Sequence, residues 1–241
     1  MLIGLFSDIH ANLEAMTAVV ERLTAEGIGR SLCLGDIVGY GANPNECIEL
    51  VSRLGAEVVA GNHDYAAVGK TPLEDFMPNA AEAIAWTRSR LEPESTRFLE
   101  TLGLEKTLPP FLLVHSAPSA PAAWHYISTF DDARREFVHF DAPACIVGHS
   151  HQPFVVSRTG SDLDQLPATR LILAEGVRYI INIGSVGQPR DGDPRACACL
   201  FDTGTREFRF LRIDYDIRAA QAKILLAGLP PYLANRLAQG I

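Results

Sequence analysis

No run of about 18 uncharged apolar residues occurs anywhere in the 241-residue chain, so the sequence predicts no transmembrane helix and no membrane partner. Positive charge is in short supply: 21 Lys and Arg face 29 Asp and Glu, a formal charge of −8. Proteins that grip nucleic acid neutralise phosphates with excess Lys and Arg, so stable nucleic-acid binding is disfavoured. The five cysteines include no C-x-x-C and form no dense framework. Cys33 and Cys145 sit inside the apolar runs SLCLG and ACIVG, where buried reduced thiols are expected. The opening MLIGLFSD reaches Asp8 with no basic region before it, unlike a signal peptide. A cytoplasmic protein is the expectation.

With 47% hydrophobic and 21% charged residues, the chain can bury a sizeable core; disorder, collagen and coiled coil are excluded. The first 64 residues repeat a strand–loop–helix pattern. Leu2–Phe6 is apolar, and Leu13, Met16, Val19, Val20 and Leu23 follow at helical spacing. A second run, Ser31–Leu34, ends in Gly35-Asp36; Pro44 opens another helix, and Val58–Ala60 ends at Gly61-Asn62-His63-Asp64. Such alternation predicts an α/β fold with a parallel sheet covered on both faces. Residues near 65–107 break the rhythm and read as a helical insertion with helices over Asn79–Leu91 and Glu94–Leu102. From Phe154 onward the pattern is strand-rich, with helices near Ile217–Leu226 and Pro231–Ala238. No repeat or linker divides the chain, so residues 1–241 read as one domain.

Polar residues stand where apolar strands stop: Asp8-Ile9-His10, Asp36, Asn62-His63-Asp64, His115 and His149-Ser150-His151. The carboxyl ends of strands in open α/β sheets face the ligand crevice, so these groups are expected on one rim. In an extended segment residues i and i+2 share a side, which would pair Asp8 with His10 and His149 with His151. One strand-terminal histidine is commonly structural, but five beside two aspartates and an asparagine point to metal. Asp, His and Asn without Cys suit two divalent transition ions such as Mn, Fe, Zn or Ni. The ligand set exceeds the needs of one tetrahedral ion, and two ions sharing a carboxylate suit phosphate-ester hydrolysis.

In order, D-x-H, G-D, G-N-H-D, a lone H and G-H-x-H resemble the calcineurin-like metallophosphoesterases. The wider text, GDIVGYGANPNECIEL, GNHDYAAVG, WTR and NIGSVGQPRDGDPR, is similar to that family's small bacterial phosphodiesterase branch. The resemblance implies a four-layer αββα sandwich of two mixed β-sheets flanked by helices. It further implies that Asp8, His10, Asp36 and His151 hold one ion, and Asp36, Asn62, His115 and His149 the other. A metal-bound hydroxide would attack phosphorus. Two departures stand out: Ser116-Ala117-Pro118-Ser119 lacks the arginine that many relatives carry there, and Ser150 replaces a common threonine.

His63 is expected to face the substrate and to protonate the leaving alkoxide, with Asp64 either orienting it or satisfying backbone amides. Arg190 reads as a phosphate ligand or a solvated loop cation, Asn12 as a site residue or a helix cap, and Tyr126, with Trp124 and His125, as a substrate wall or core packing. The expected activity is hydrolysis of a small phosphodiester or nucleotide-type substrate. A dinucleoside polyphosphate hydrolase is the alternative within the resemblance. A non-catalytic interaction module should have lost ligands, and this chain has lost none; a nuclease is disfavoured by charge. A homo-oligomer is compatible with all of these.

Overall fold

The computed structural model describes residues 1–241. Twelve strands form two six-stranded sheets. The first contains β1 (Leu2–Phe6), β2 (Arg30–Cys33), β3 (Glu57–Val58), β9 (Arg170–Ile172), β11 (Ala196–Asp202) and β12 (Glu207–Ile213), in the order β3-β2-β1-β11-β12-β9. The second contains β4 (Glu105–Leu108), β5 (Phe111–Val114), β6 (Ala144–Val147), β7 (Phe154–Thr159), β8 (Asp162–Leu166) and β10 (Arg178–Asn182), in the order β4-β5-β6-β10-β7-β8. Both are mixed. β1 runs parallel to β2 but antiparallel to β11, and β10 runs parallel to β6 but antiparallel to β7.

The period-two geometry of a strand sorts side chains between layers. Leu5, Leu32 and Leu34 point inward to meet Phe111, Leu113, Ile146 and Ile181 of the other sheet. Phe6 and Cys33 point outward onto α1 (Leu13–Ala25) and α2 (Pro44–Arg53) through Met16, Val19 and Ile48. The outer face of the second sheet packs Val114 and Val147 on Ala133 and Phe137, at α6 (Phe130–Glu136) and its end. Helix, sheet, sheet and helix therefore stack as four layers. Truncating a central residue such as Leu5, fully buried, to Ala would cost about 2–5 kcal/mol.

The segment read as a helical insertion divides differently. A six-residue helix α3 (Asn62–Ala67) is followed by α4 (Pro78–Arg90) and α5 (Pro93–Glu100), but Glu105–Leu108 is strand β4, paired antiparallel with β5. The polar edge sequence Glu-Lys-Thr-Leu buries no full face, which is why it carries no apolar alternation. α7 (Ile217–Leu226) and α8 (Pro231–Leu237) close the chain. All five cysteines are free and buried. No helix is long and apolar enough to cross a membrane.

Candidate metal centre

Sequence-singled residues converge where β1, β2, β5 and β6 end. The route differs from the one expected of extended strands. Asp8, His10, Asp36, His149 and His151 all adopt left-handed backbone conformations, with φ of 54°, 50°, 50°, 67° and 60°. Each such non-glycine residue is disfavoured by about 1–2 kcal/mol, and concentrations of this strain mark functional sites. The turned-back chain, not strand alternation, aims these groups. It is held by His10 N donating to Asp36 O (2.9 Å) and Asp8 N to Gly35 O (3.0 Å).

Asp8, His10, Asp36 and His151 bring ligand atoms within 4.8 Å of one another, and Asp36, His115 and His149 do the same. Asp36 belongs to both groups. Its Oδ2 lies 3.6 Å from His10 Nε2 and 3.4 Å from His115 Nε2, while its Oδ1 accepts from His63 N at 2.8 Å. Asp8 Oδ1 is 3.3 Å from His151 Nε2, and its carboxylate accepts from His149 N. Gly61 is required here, because a Cβ on it would overlap the Asp36 carboxylate.

Three of the four histidines are oriented alike. His10, His115 and His151 each donate Nδ1–H to a main-chain carbonyl, of Val38 (3.1 Å), Leu34 (2.6 Å) and Gln188 (2.6 Å). His149 uses Nε2 on the carbonyl of Trp124 at 2.8 Å. A carbonyl can only accept, so in the neutral ring the other nitrogen is a lone pair; for His10, His115 and His151 that atom is Nε2, which faces an Asp8 or Asp36 oxygen, as metal-ligating imidazoles are fixed. His10 and His151 consequently oppose their Nε2 atoms at 3.0 Å. Asn62 Oδ1 and His115 Nε2 are buried without a hydrogen-bond partner. Orphaned polar atoms around two buried carboxylates fit two divalent cations.

Charge in this pocket is poorly compensated without cations. Burial, reinforced by Asp36, pushes the Asp8 carboxyl up to about 7. For Asp36 burial also pushes upward but is outweighed by His115 and His63, leaving the carboxyl below the usual range. Burial holds His10 and His151 well below the ordinary histidine value and His149 down to about 3. His115 is the exception: burial disfavours its charge, but the Asp36 carboxylate beside it lifts it to about 9.

His63 lies next to this cluster, its ring centroid 4.8 Å from that of His10, 4.5 Å from Tyr40 and 5.2 Å from Phe76. Its ring makes no hydrogen bond within the chain, and its Nδ1 is buried against Gly39. Gly39 has φ of 88°, and a Cβ there would overlap the His63 ring. Burial lowers His63 to about 4. Asp64 does not touch that ring. Its oxygens accept from the backbone amides of Ile37, Val38 and Gly61 at 2.9, 3.2 and 3.1 Å. Asn12 caps α1: Oδ1 accepts from Ala15 N (3.2 Å), and Nδ2 donates to Gly187 O (2.9 Å).

A cavity of about 600 Å³ opens beside the cluster, walled by Tyr40, His63, Phe76, Trp124, Tyr126 and His149. Tyr126 stacks on His149 at 4.1 Å and 13°. His125 is exposed and lines no part of the cavity. In the loop after His115, Ser119 N and Oγ turn to Glu136, both at 2.9 Å. Sequence reasoning missed Tyr40, Gln188 and the Trp124 carbonyl. Only Tyr40 had a visible cue, in the stretch Asp36-Ile37-Val38-Gly39-Tyr40.

Known proteins resemble this chain closely. The model of the calcineurin-like phosphoesterase superfamily domain matches residues 1–206. A protein of Methanocaldococcus jannaschii, described as uncharacterised, is 42% identical over 243 residues, spanning 99% of this chain and 98% of that one. The crystal structure of a metallophosphoesterase from Sphaerobacter thermophilus superposes with a TM-score of 0.88 at 39% identity, covering 100% of both chains. A hypothetical protein of Pyrococcus horikoshii OT3 shares the fold, with a TM-score of 0.82 at 19% identity over 100% of this chain and 98% of its own.

Proposed function

Because the chain belongs to the calcineurin-like phosphoesterase superfamily, we propose that this hydrolase cleaves small phosphodiester or nucleotide-type substrates, using two divalent transition ions bound between its sheets. The observation that supports the reading is the shared commitment of His10, His115 and His151: Nδ1 on a main-chain carbonyl, and Nε2 facing the buried carboxylate of Asp8, Asp36 or both. In this reading Asp8, His10, Asp36 and His151 hold one ion, and Asp36, Asn62, His115 and His149 the other. The sulfur-free donor set suits Mn, Fe, Zn or Ni. Bound ions would polarise a phosphoryl oxygen and lower the pKa of a coordinated water.

The chain's own groups do the rest. His63 protonates the leaving alkoxide. Its ring is unpartnered, and a phosphoryl anion beside it opposes the burial that depresses its proton affinity. Arg190 binds a non-bridging oxygen, and Tyr126 forms one wall of the substrate space. A cavity of about 600 Å³ suits a nucleotide-sized molecule and not a folded phosphoprotein.

The test is a panel of mono- and diesters, nucleotides, phosphopeptides and single-stranded DNA with each metal added in turn. Small diesters should be cleaved fastest. Faster cleavage of phosphopeptides or long DNA than of every small diester would overturn the substrate assignment.

A further inference from the structure

The loop of residues 185–190, which follows β10, is tied to two of the candidate ligand segments. Ser185 Oγ and Gly187 N both donate to the Asp8 carbonyl, at 2.8 and 2.9 Å, and Gln188 N donates to Ser185 Oγ at 2.9 Å. A Cβ on Gly187 would fall 1.8 Å from the Ile9 carbonyl oxygen, so this close approach admits only glycine. On the other side His151 Nδ1 donates to Gln188 O at 2.6 Å, and Arg190 N donates to His151 O at 3.2 Å. Pro189 stiffens the step between the two residues by fixing its own φ. The backbone of Arg190 therefore has a set place relative to Asp8 and His151.

Gln188 also sets the side chain. It is only 1% exposed, and its Oε1 receives both Nε and Nη2 of the half-buried Arg190, at 3.3 and 2.8 Å. A guanidinium has donors only, so the amide atom turned to it must be the oxygen. Nη2 also meets the Tyr40 hydroxyl at 3.5 Å. The Tyr40 ring lies 5.8 Å from the guanidinium carbon and 4.6 Å from the His10 ring, which places the cation beside the ligand cluster. Both anchors are neutral. The acids that follow in sequence are engaged elsewhere, Asp191 with Arg212 and Asp193 with Arg195.

A carboxylate at position 188 could accept the same two hydrogen bonds, but it would cancel the charge it holds. An amide fixes the guanidinium and leaves that charge whole. We propose that Gln188 is a positioning residue for phosphoryl recognition: its side chain presents Arg190 to an anionic phosphoryl oxygen without neutralising it, while its main-chain carbonyl orients His151. One buried residue thus sets the anion ligand and a metal ligand relative to each other. The inference rests on the phosphoesterase reading above and names what makes Arg190 fit for its part in it.

Calorimetric titration of the Mn²⁺-loaded protein with methylphosphonate, which is not hydrolysed, tests this, with metal content and urea stability measured on each preparation. Gln188→Glu should weaken binding about tenfold with no loss of stability, because the new carboxylate keeps the hydrogen bonds and competes with the probe. Gln188→Met, of similar length but without the acceptor or a charge, should weaken it about threefold by freeing the guanidinium. In an Arg190→Ala background both substitutions should change nothing further. Wild-type affinity in Gln188→Met, or losses that persist in the Arg190→Ala background, would overturn the assignment. Hydrolysis of bis(p-nitrophenyl) phosphate by the same preparations separates the two claims. Cleavage with an affinity blind to residue 188 removes this inference alone. Binding that depends on Gln188 and Arg190 together, without cleavage under any metal, keeps it and removes the hydrolase reading.

Discussion

His10 and His151 oppose their Nε2 atoms at 3.0 Å although each has its Nδ1–H already committed to a backbone carbonyl. Two lone pairs at that distance repel unless a proton or a cation lies between them. Burial disfavours the proton on both rings. The arrangement is therefore built for a cation, and it leads to the first prediction. Saturated protein should carry two metal ions per chain by elemental analysis. Asp36→Asn should lower occupancy of both, because Asp36 belongs to both ligand groups, whereas His10→Ala should chiefly empty one. A single ion with Asp36 uninvolved would contradict the shared carboxylate.

Metal affinity should rise with pH. At pH 7 the metal-free site still holds protons, on His115 (lifted to about 9) and partly on Asp8 (about 7), and a metal must displace them. His10, His149 and His151 are already neutral there and add no competition. The dissociation constant for Mn²⁺ should therefore fall from pH 6 to pH 9, with proton release visible as a buffer-dependent binding enthalpy. A flat profile over this range would show that neither group is a ligand.

His63→Gln should reduce turnover of alkyl phosphodiesters by about 10²–10⁴-fold and nitrophenyl esters far less, because a nitrophenolate leaves without a proton. Metal content should be unaffected. Equal losses on the two substrates would count against proton donation.

Gly39→Ala should imitate that variant from outside the site. The new methyl overlaps the His63 ring, and the backbone at φ 88° is strained for any residue with a Cβ. Stability should fall by about 1–2 kcal/mol in urea denaturation, and alkyl ester turnover should drop with both metals retained. Unchanged turnover would mean that His63 needs no fixed placement.

The candidate ligands were legible because apolar strands stop abruptly on Asp8, Asp36, His115 and His149, and polarity at a strand's end is visible in a one-dimensional string. The left-handed backbones of Asp8, Asp36 and His149 were not, since neither Asp nor His advertises a positive φ as glycine does. The groups that orient the ring nitrogens were invisible too. They are main-chain carbonyls of Val38, Leu34, Trp124 and Gln188, which carry no side-chain signature. Strands β4 and β8 escaped notice because Glu105–Leu108 and Asp162–Leu166 lie at sheet edges and present mostly polar faces. The partners of Asp64 and Asn12 were equally hidden, because Ile37 and Gly187 lie far from them in sequence.

The strand order sets a timetable for synthesis. Every candidate ligand has been made by His151, yet β1, which aims Asp8 and His10, is flanked on one side by β11, at Ala196–Asp202. Until β11 emerges, one edge of β1 has no hydrogen-bonding partner and the inward face of the first sheet lacks Cys199 and Phe201. A nascent chain halted just after His151 would hold all the ligands on an unfinished scaffold. Metal capture should thus wait for β11, and a ribosome-stalled series of lengths would show protection from proteolysis by Mn²⁺ appearing only once β11 has left the exit tunnel.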